Sequence, residues 1–182
     1  SRLENVTVEG SVSGERYGVG GALGRNTGIL VNLRADVNVT IEEGLSEEAA
    51  DAGGLVGNNI GEIQESVSSG NVSGFAALMG DDGLNRIGGL VGVNSGEITK
   101  SYSTASILGT NIVGGFVGEN SGEIHNNYAT GDVTGDAIGN TVAGFAGKNS
   151  GTIINSFSTG NIEPEGGKSA TFGGFIATDD GG

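Results

Sequence analysis

From Gly20 onward, apolar residues fall in clusters of two or three, separated by glycine, asparagine and hydroxyl side chains, and the clusters repeat. Anchored on a Gly-Gly pair, successive units begin near Gly20, Gly53, Gly88, Gly114, Ala143 and Gly173, at spacings of 33, 35, 26, 29 and 30 residues. Periods of this size are the signature of solenoids, propellers or repeat arrays. The second place after each start holds Ala22, Leu55, Leu90, Phe116, Phe145 or Phe175, and the third an aliphatic residue. The sixth place holds Asn26, Asn59, Asn94, Asn120, Asn149 and, in the last unit, Asp179, each followed two residues on by glycine. Leu30, Ile63, Ile98, Ile124 and Ile153 share the tenth place. Further along, Val67, Tyr102, Tyr128 and Phe157 occupy one place, and Val72, Ile107, Val133 and Ile162 another. The first unit departs from this outline, with Arg34 where the aromatic belongs.

Short runs rich in Val and Ile, broken by Asn-x-Gly, read as strands joined by tight turns. Asn and Gly tolerate the positive φ of sharp corners, so the corner is placed at Asn-x-Gly, with Gly122 at a positive φ. Helices are disfavoured, because each interior glycine costs about 1 kcal/mol. The expected fold is all-β: a right-handed parallel β-solenoid, β-helix-like, of about five to six Gly-rich repeats. Equivalent residues would then form ladders about 4.8 Å apart, with right-handed crossovers. In that arrangement Phe116, Phe145, Ile98, Ile124 and Tyr128 are core. An antiparallel stack of hairpins is the structural rival, since Asn-x-Gly suits hairpins too.

Two segments break the outline. Thr40–Asp51 could hold one acidic helical turn begun by Ser46, and Phe75–Ile87 is an apolar, then acidic, insertion. Shorter variable pieces lie near Asp136–Thr141 and Glu163–Thr171. All follow the same part of the repeat and should leave along one edge. "EGSVSG" at Glu9–Gly14 matches "SGNVSG" at Ser69–Gly74 and "TGDVTG" at Thr130–Gly135. Residues 1–182 therefore read as one repeat-built domain, with 1–19 a partial repeat, and as a piece of a longer array. Ser1-Arg2 likewise reads as a processed or excised start.

Composition narrows the partners. Thirty-eight glycines with one proline and 35% hydrophobic residues are thin for a compact globule, but suffice when each unit buries its face on its neighbours. A formal charge of −14 repels phosphates and anionic lipid surfaces, so neither nucleic acid nor membrane is an expected partner. The absence of cysteine removes disulfides, thiolate nucleophiles and Cys-zinc sites. No apolar run approaches the roughly 20 residues of a membrane helix, and no secretory leader is evident.

The strings "GLVG" at Gly54–Gly57 and Gly89–Gly92, with "NSGEI" followed by "SYST" or "NYATGDVTG", resemble the GLUG motif, named for Gly-Leu-any-Gly. The resemblance covers nearly the whole chain. It implies a repeat region of a bacterial surface protein, either an adhesin or the non-catalytic part of an immunoglobulin A-specific metallopeptidase. An extracellular setting, secreted or on the cell surface, comes with it, and no catalytic residue does.

The candidate chemistry is sparse. A metallopeptidase of the H-E-x-x-H type needs two histidines, whereas His125 stands alone, at a place otherwise filled by Gln64, Thr99 and Ile154. It reads as a tolerated strand residue. The doublets Glu42/Glu43, Glu47/Glu48, Asp81/Asp82 and Asp179/Asp180 are poor glycosidase pairs, because neighbours in a strand point to opposite faces whereas such carboxylates face each other across a groove. Solvated loop charge is the plainer reading. No cofactor is implied, though oxygen ligands at Asp81 and Asp82 could hold calcium weakly; no EF-hand loop accompanies them. Thr104, Thr130 and Thr159 share one place, which is too few threonines per coil for an ice-ordering face. The glycine doublets lack the Lys-Ser/Thr of a phosphate loop.

The expectation is thus a non-enzymatic, structural and adhesive segment, a rigid stalk or binding scaffold. Its partner would be a host or neighbouring-cell surface protein or glycan. Recognition is placed on the insertions, as a loop patch of Phe75, Leu78 and Met79 rimmed by Glu42, Glu43, Glu47 and Glu48, since loops carry recognition disproportionately. The alternative is a polysaccharide-cleaving β-solenoid enzyme, which should break its ladders with groove-facing carboxylates and basic partners.

Overall fold

The computed structural model describes residues 1–15, 17–42, 49–74, 85–136, 140–165 and 170–181. Among these there is no helix, and every strand pairing is parallel. That excludes the hairpin rival. Three sheets run along one axis: a leading narrow sheet of six strands, a trailing narrow sheet of six, and a wide sheet of fourteen. In one coil, Ile112–Gly114 lies in the leading sheet and Val117–Asn120 in the trailing sheet. Glu123–His125, Tyr128–Ala129 and Val133–Asp136 then cross the wide sheet before the next coil begins. The chain is a parallel β-solenoid.

The register is the repeat register. Ile124 pairs with Ile98 on one side and Ile153 on the other, and Val117 with Val91 and Ala146. In the first coil the wide sheet is crossed by one continuous strand, Ile29–Ile41, against which Glu62–Gln64, Val67–Ser69 and Asn71–Gly74 all pair. Arg34 stands opposite Val67, which fixes its place as the unit's aromatic position.

The positive φ angles are not at the Asn-x-Gly corner. One set recurs once per coil within the wide sheet, at Asn32, Glu65, Lys100, Asn126 and Asn155, with φ between 50° and 60°, and Asn5 matches them at 57°; Tyr17, Asn111, Gly10 and Gly70 also have positive φ. Each member of that set kinks the chain between the first and second strands of the face, at the same register in neighbouring coils. Inward positions therefore shift from Ile124 to Asn127 and Ala129, which leaves Tyr128 outside. The expectation of a buried Tyr128 fails for that reason. It is half-buried on the outer face, stacked between Tyr102 at 4.7 Å and Phe157 at 5.3 Å. Phe116, Phe145, Ile98 and Ile124 are fully buried as expected. Phe145 stacks on Phe116 and on Phe175, with centroids 4.7 Å apart in both pairs.

The repeated asparagines do something other than turn the chain. Their side chains are buried and form one hydrogen-bonded column along the axis. Asn26 Nδ2 donates to Asn59 Oδ1, Asn59 to Asn94 and Asn94 to Asn120, each at 2.8 Å. The column continues from Asn120 to Asn149 and ends on Asp179 Oδ1, both at 2.9 Å. Each Nδ2 also donates to the carbonyl two residues on, as Asn94 does to Gly96 at 3.1 Å. An amide suits this place because it donates and accepts at once. Gly122 has no positive φ. Its need for glycine is close approach, since a Cβ there would run into the carbonyl of Gly96 in the coil before.

Further polar columns close the other corners. Ser66, Ser101, Asn127 and Ser156 accept from the backbone N–H of Leu33, Ser66, Ser101 and Asn127 at 2.7–3.2 Å. Asn85, Asn111 and Asn140 do the same for Ala50, Asn85 and Asn111 at 2.7–3.2 Å. Amide and hydroxyl groups, buried except at Asn111 and Ser156, thus carry corner backbone groups that would otherwise go unpaired.

Candidate functional site

The connections from the wide to the leading sheet all leave one edge. Ile41 pairs with Gly74 and Asp51 with Arg86, so the roots of the two long insertions lie on adjacent coils. Thr40, Ile41, Ala50 and Asp51 belong to strands, which narrows the first insertion. Glu42 is exposed at its root, with its N–H donating to Gly14 O at 2.9 Å. Phe75, Leu78, Met79, Glu43, Glu47, Glu48, Asp81 and Asp82, and the turn begun by Ser46, lie outside the described residues. Among the described residues no three His, Asp or Glu side chains gather as a metal ion would need. His125 lies in the strand Glu123–His125, with Nε2 3.3 Å from Glu123 Oε2.

A charged groove of about 1060 Å³ lies beside that edge, between the outer faces of the leading and trailing sheets. Tyr17, Arg25, Asp51, Asn58, Ile60 and Arg86 line it. Register builds it. Asp51 and Arg86 stand next to each other in the leading sheet, and Arg25 next to Asn58 in the trailing sheet. Arg86 Nε donates to Asp51 Oδ1 at 2.6 Å, and its Nη1 reaches Glu119 Oε2 at 3.6 Å. Asn58 Nδ2 lies 3.4 Å from Asp51 Oδ2. The Asp51 side chain is only 8% exposed. Burial pushes its carboxyl up from the ordinary value, and the charge and hydrogen bonds of Arg86 and Asn58 offset this in part.

Asp51, in the groove, and Glu119, outside its lining, share the Arg86 guanidinium. Arg25 is exposed and makes no ion pair among the described residues. Tyr17 is 67% exposed at φ 58°, and Ile60 adds an exposed aliphatic face. A cation, an aromatic ring, an amide and an aliphatic side chain within one cleft are the ingredients of polar-ligand recognition.

The glycines beneath explain why the cleft is there. Gly89 and Leu90 turn the chain from the leading sheet into the trailing strand that Val91 and Gly92 begin, with Leu90 and Val91 wholly in the core. A Cβ on Gly92 would stand 2.8 Å from Ala52 N and 2.9 Å from Asp51 C, so the two sheets meet backbone to backbone. A Cβ on Gly89 would strike the Gly115 carbonyl of the next coil. Residues 83–108 match the family model described as the GLUG motif. The chain contains a GLUG-repeat region. Comparison with curated proteins and with solved structures returned no match. In this chain the first glycine of GLUG is required by the coil above it and the second by the sheet behind it.

Sequence reasoning missed this groove. The signal lay in the repeat itself: Asp51 and Arg86 occupy one place in consecutive units.

Proposed function

We propose that this chain is a structural and adhesive repeat segment of a secreted or cell-surface bacterial protein, a rigid scaffold that presents outward side chains to a surface protein or glycan. The observation that carries the reading is the contrast between inward and outward rows. The inner column repeats asparagine at five of six rungs, whereas the outward row of the leading sheet runs Gly18, Asp51, Arg86, Ile112, Thr141, Thr171. Fixed spacing inside with free chemistry outside is what a repeat binding surface requires. The shared guanidinium at Asp51 and Glu119 favours a non-catalytic role over the polysaccharide-cleaving alternative, which needs one carboxyl free to act as acid.

The test is binding of the chain to glycan and extracellular-matrix arrays. Two variants accompany it: Tyr17→Ala with Arg25→Ala, and replacement of 43–48 and 75–84 by short Gly-Ser connections. Loss of binding in either, with β-rich circular dichroism unchanged, is the expected result and assigns the contact to groove or insertions. Hydrolysis of an arrayed polysaccharide, or no binding to any surface, overturns the reading.

A further inference from the structure

Three asparagines stand two residues before a hydroxyl, in Asn5-Val6-Thr7, Asn38-Val39-Thr40 and Asn71-Val72-Ser73. Asn-x-Ser/Thr is the acceptor pattern for an N-linked sugar, a bulky modification of exported chains. The fold decides which asparagines have room for one. In a strand, residues i and i+2 share a face. Val39 and Val72 are wholly buried, so Asn38 with Thr40 and Asn71 with Ser73 point outward. The two tripeptides lie side by side in consecutive coils. Val39 pairs with Val72 and Thr40 with Ser73, and Ser73 Oγ lies 3.4 Å from Thr40 Oγ1. Further strands flank both, with Ser11 beside Asn38 and Ser106 beside Asn71, so neither is exposed by an end of the array. The asparagines of the buried column are the opposite case. Each is followed two places on by glycine, and each Nδ2 is spent on the next rung.

We propose that Asn38 is a glycosylation site, with its Nδ2 the atom that takes the sugar. This rests on the exported setting proposed above. Asn38 Oδ1 accepts the N–H of Asn71 at 3.1 Å, which holds the carboxamide, and among the described residues none accepts from Asn38 Nδ2. Transfer replaces one Nδ2–H bond by a bond to the anomeric carbon of the sugar. The bond from that carbon to the phosphate of an activated sugar diphosphate breaks, the diphosphate leaves with the electron pair, and the proton passes to water. The product amide keeps Oδ1 on the Asn71 N–H, so the fold gives up no described hydrogen bond.

The neighbouring tripeptide is the poorer acceptor. Ser73 is half-buried where Thr40 is exposed. Adjacent coils are about 4.8 Å apart, so a sugar on Asn38 also covers Asn71. Beside the pair, a groove of about 520 Å³ runs along the outer face past Ser73, Ser106, Leu108, Asp132 and Thr134. Its hydroxyls and carboxylate suit the hydroxyls of a sugar, and Leu108 offers an aliphatic surface to a ring face.

The experiment is peptide mapping by mass spectrometry with electron-transfer fragmentation. It uses the protein recovered from the surface and medium of the cells that make it and, separately, from their interior. The Asn38 peptide is expected to carry one or more hexose or N-acetylhexosamine increments. The increment is expected to disappear in Asn38→Gln and Thr40→Ala and to survive in Thr40→Ser and Asn71→Gln, with circular dichroism unchanged in all four. Unmodified Asn38 in every fraction overturns the proposal. So does an increment confined to Asn71, or one on Asn38 that persists in Thr40→Ala. An unmodified chain that still binds the arrays leaves the adhesive reading standing, so the two fail separately.

Discussion

Replacing Asn94 tests the internal column where it is most confined. Its Nδ2 donates to Asn120 Oδ1 at 2.8 Å and Gly96 O at 3.1 Å, and its Oδ1 accepts from Asn59 Nδ2 at 2.8 Å and Gly96 N at 3.3 Å. In Asn94→Ala two of the four partners are covered: Asn120 Oδ1 keeps the N–H of Gly122, and Gly96 O keeps that of Glu123. The other two are orphaned, one hydrogen of the buried Asn59 amide and the N–H of the half-buried Gly96. At about 1–3 kcal/mol for each buried unsatisfied donor, the loss is about 2–6 kcal/mol. Asn94→Leu keeps the branching and number of heavy atoms but is bulkier, and it orphans the same two donors, so it should lose at least as much. Ser95→Ala, on the exposed neighbour, should stay within about 0.5 kcal/mol. Chemical denaturation followed by circular dichroism reads all three. If Asn94→Leu were as stable as the parent, the column would be packing rather than hydrogen bonding, and the argument would be refuted.

Three further outcomes are expected. Phe145→Ala, between two stacked rings in the core, should cost about 3–5 kcal/mol, whereas Tyr128→Ala on the outer stack should cost about 0.5–1.5 kcal/mol beyond its smaller buried area; equal losses by denaturation would mean the kink has been misplaced. Gly122→Val should lower the melting temperature far more than Ser121→Val, because its Cβ strikes the neighbouring coil; similar melting temperatures would show that the coils can separate there. Asp51 is an acid whose folded value lies above the ordinary 3.8, so its contribution is fully present below that value and is lost as pH rises through the folded value, at about 1.4 kcal/mol per unit of displacement. Asp51→Asn should therefore gain stability relative to the parent as pH rises through the carboxylate range, and a constant difference across pH would refute the burial argument.

The coil and its inward rows were legible because burial is a property of single positions. An aliphatic or aromatic residue recurring at one place, as from Leu30 to Ile153, has to face a core that every unit shares. Asn94 was harder to read. In one unit, Asn-x-Gly is a turn signature and nothing more. The column exists only between units, and its trace in the sequence is the choice of residue. A corner that merely tolerated positive φ would accept glycine or aspartate as readily, whereas five of the six rungs are asparagine, the residue that can donate and accept. The actual left-handed positions include Glu65 and Lys100, residue types that carry no such signal; what places them is the parity of the inward rows on either side. The groove was hidden for a related reason. Arg86 joins Asp51 to Glu119 across residues that are distant in sequence, and only the stacking offset makes them neighbours.

The same geometry makes the two sides of each strand unequal in what they can vary. An inward rung such as Asn94 or Phe145 has a partner above and a partner below, so one substitution disturbs three coils. An outward residue such as Arg25 or Thr141 has the same neighbours along the axis, but water can replace whatever contact it loses. Changes of charge and size are therefore cheap outside and expensive inside, and the outward rows can diversify without moving the backbone. The groove stands where that freedom meets the tightest part of the scaffold. Gly92 and its equivalents hold the leading and trailing sheets in backbone contact, and this fixes the separation of the rows that carry Arg86 and Asn58. Side chains in the groove therefore have chemistry that is free to vary and a spacing that is not.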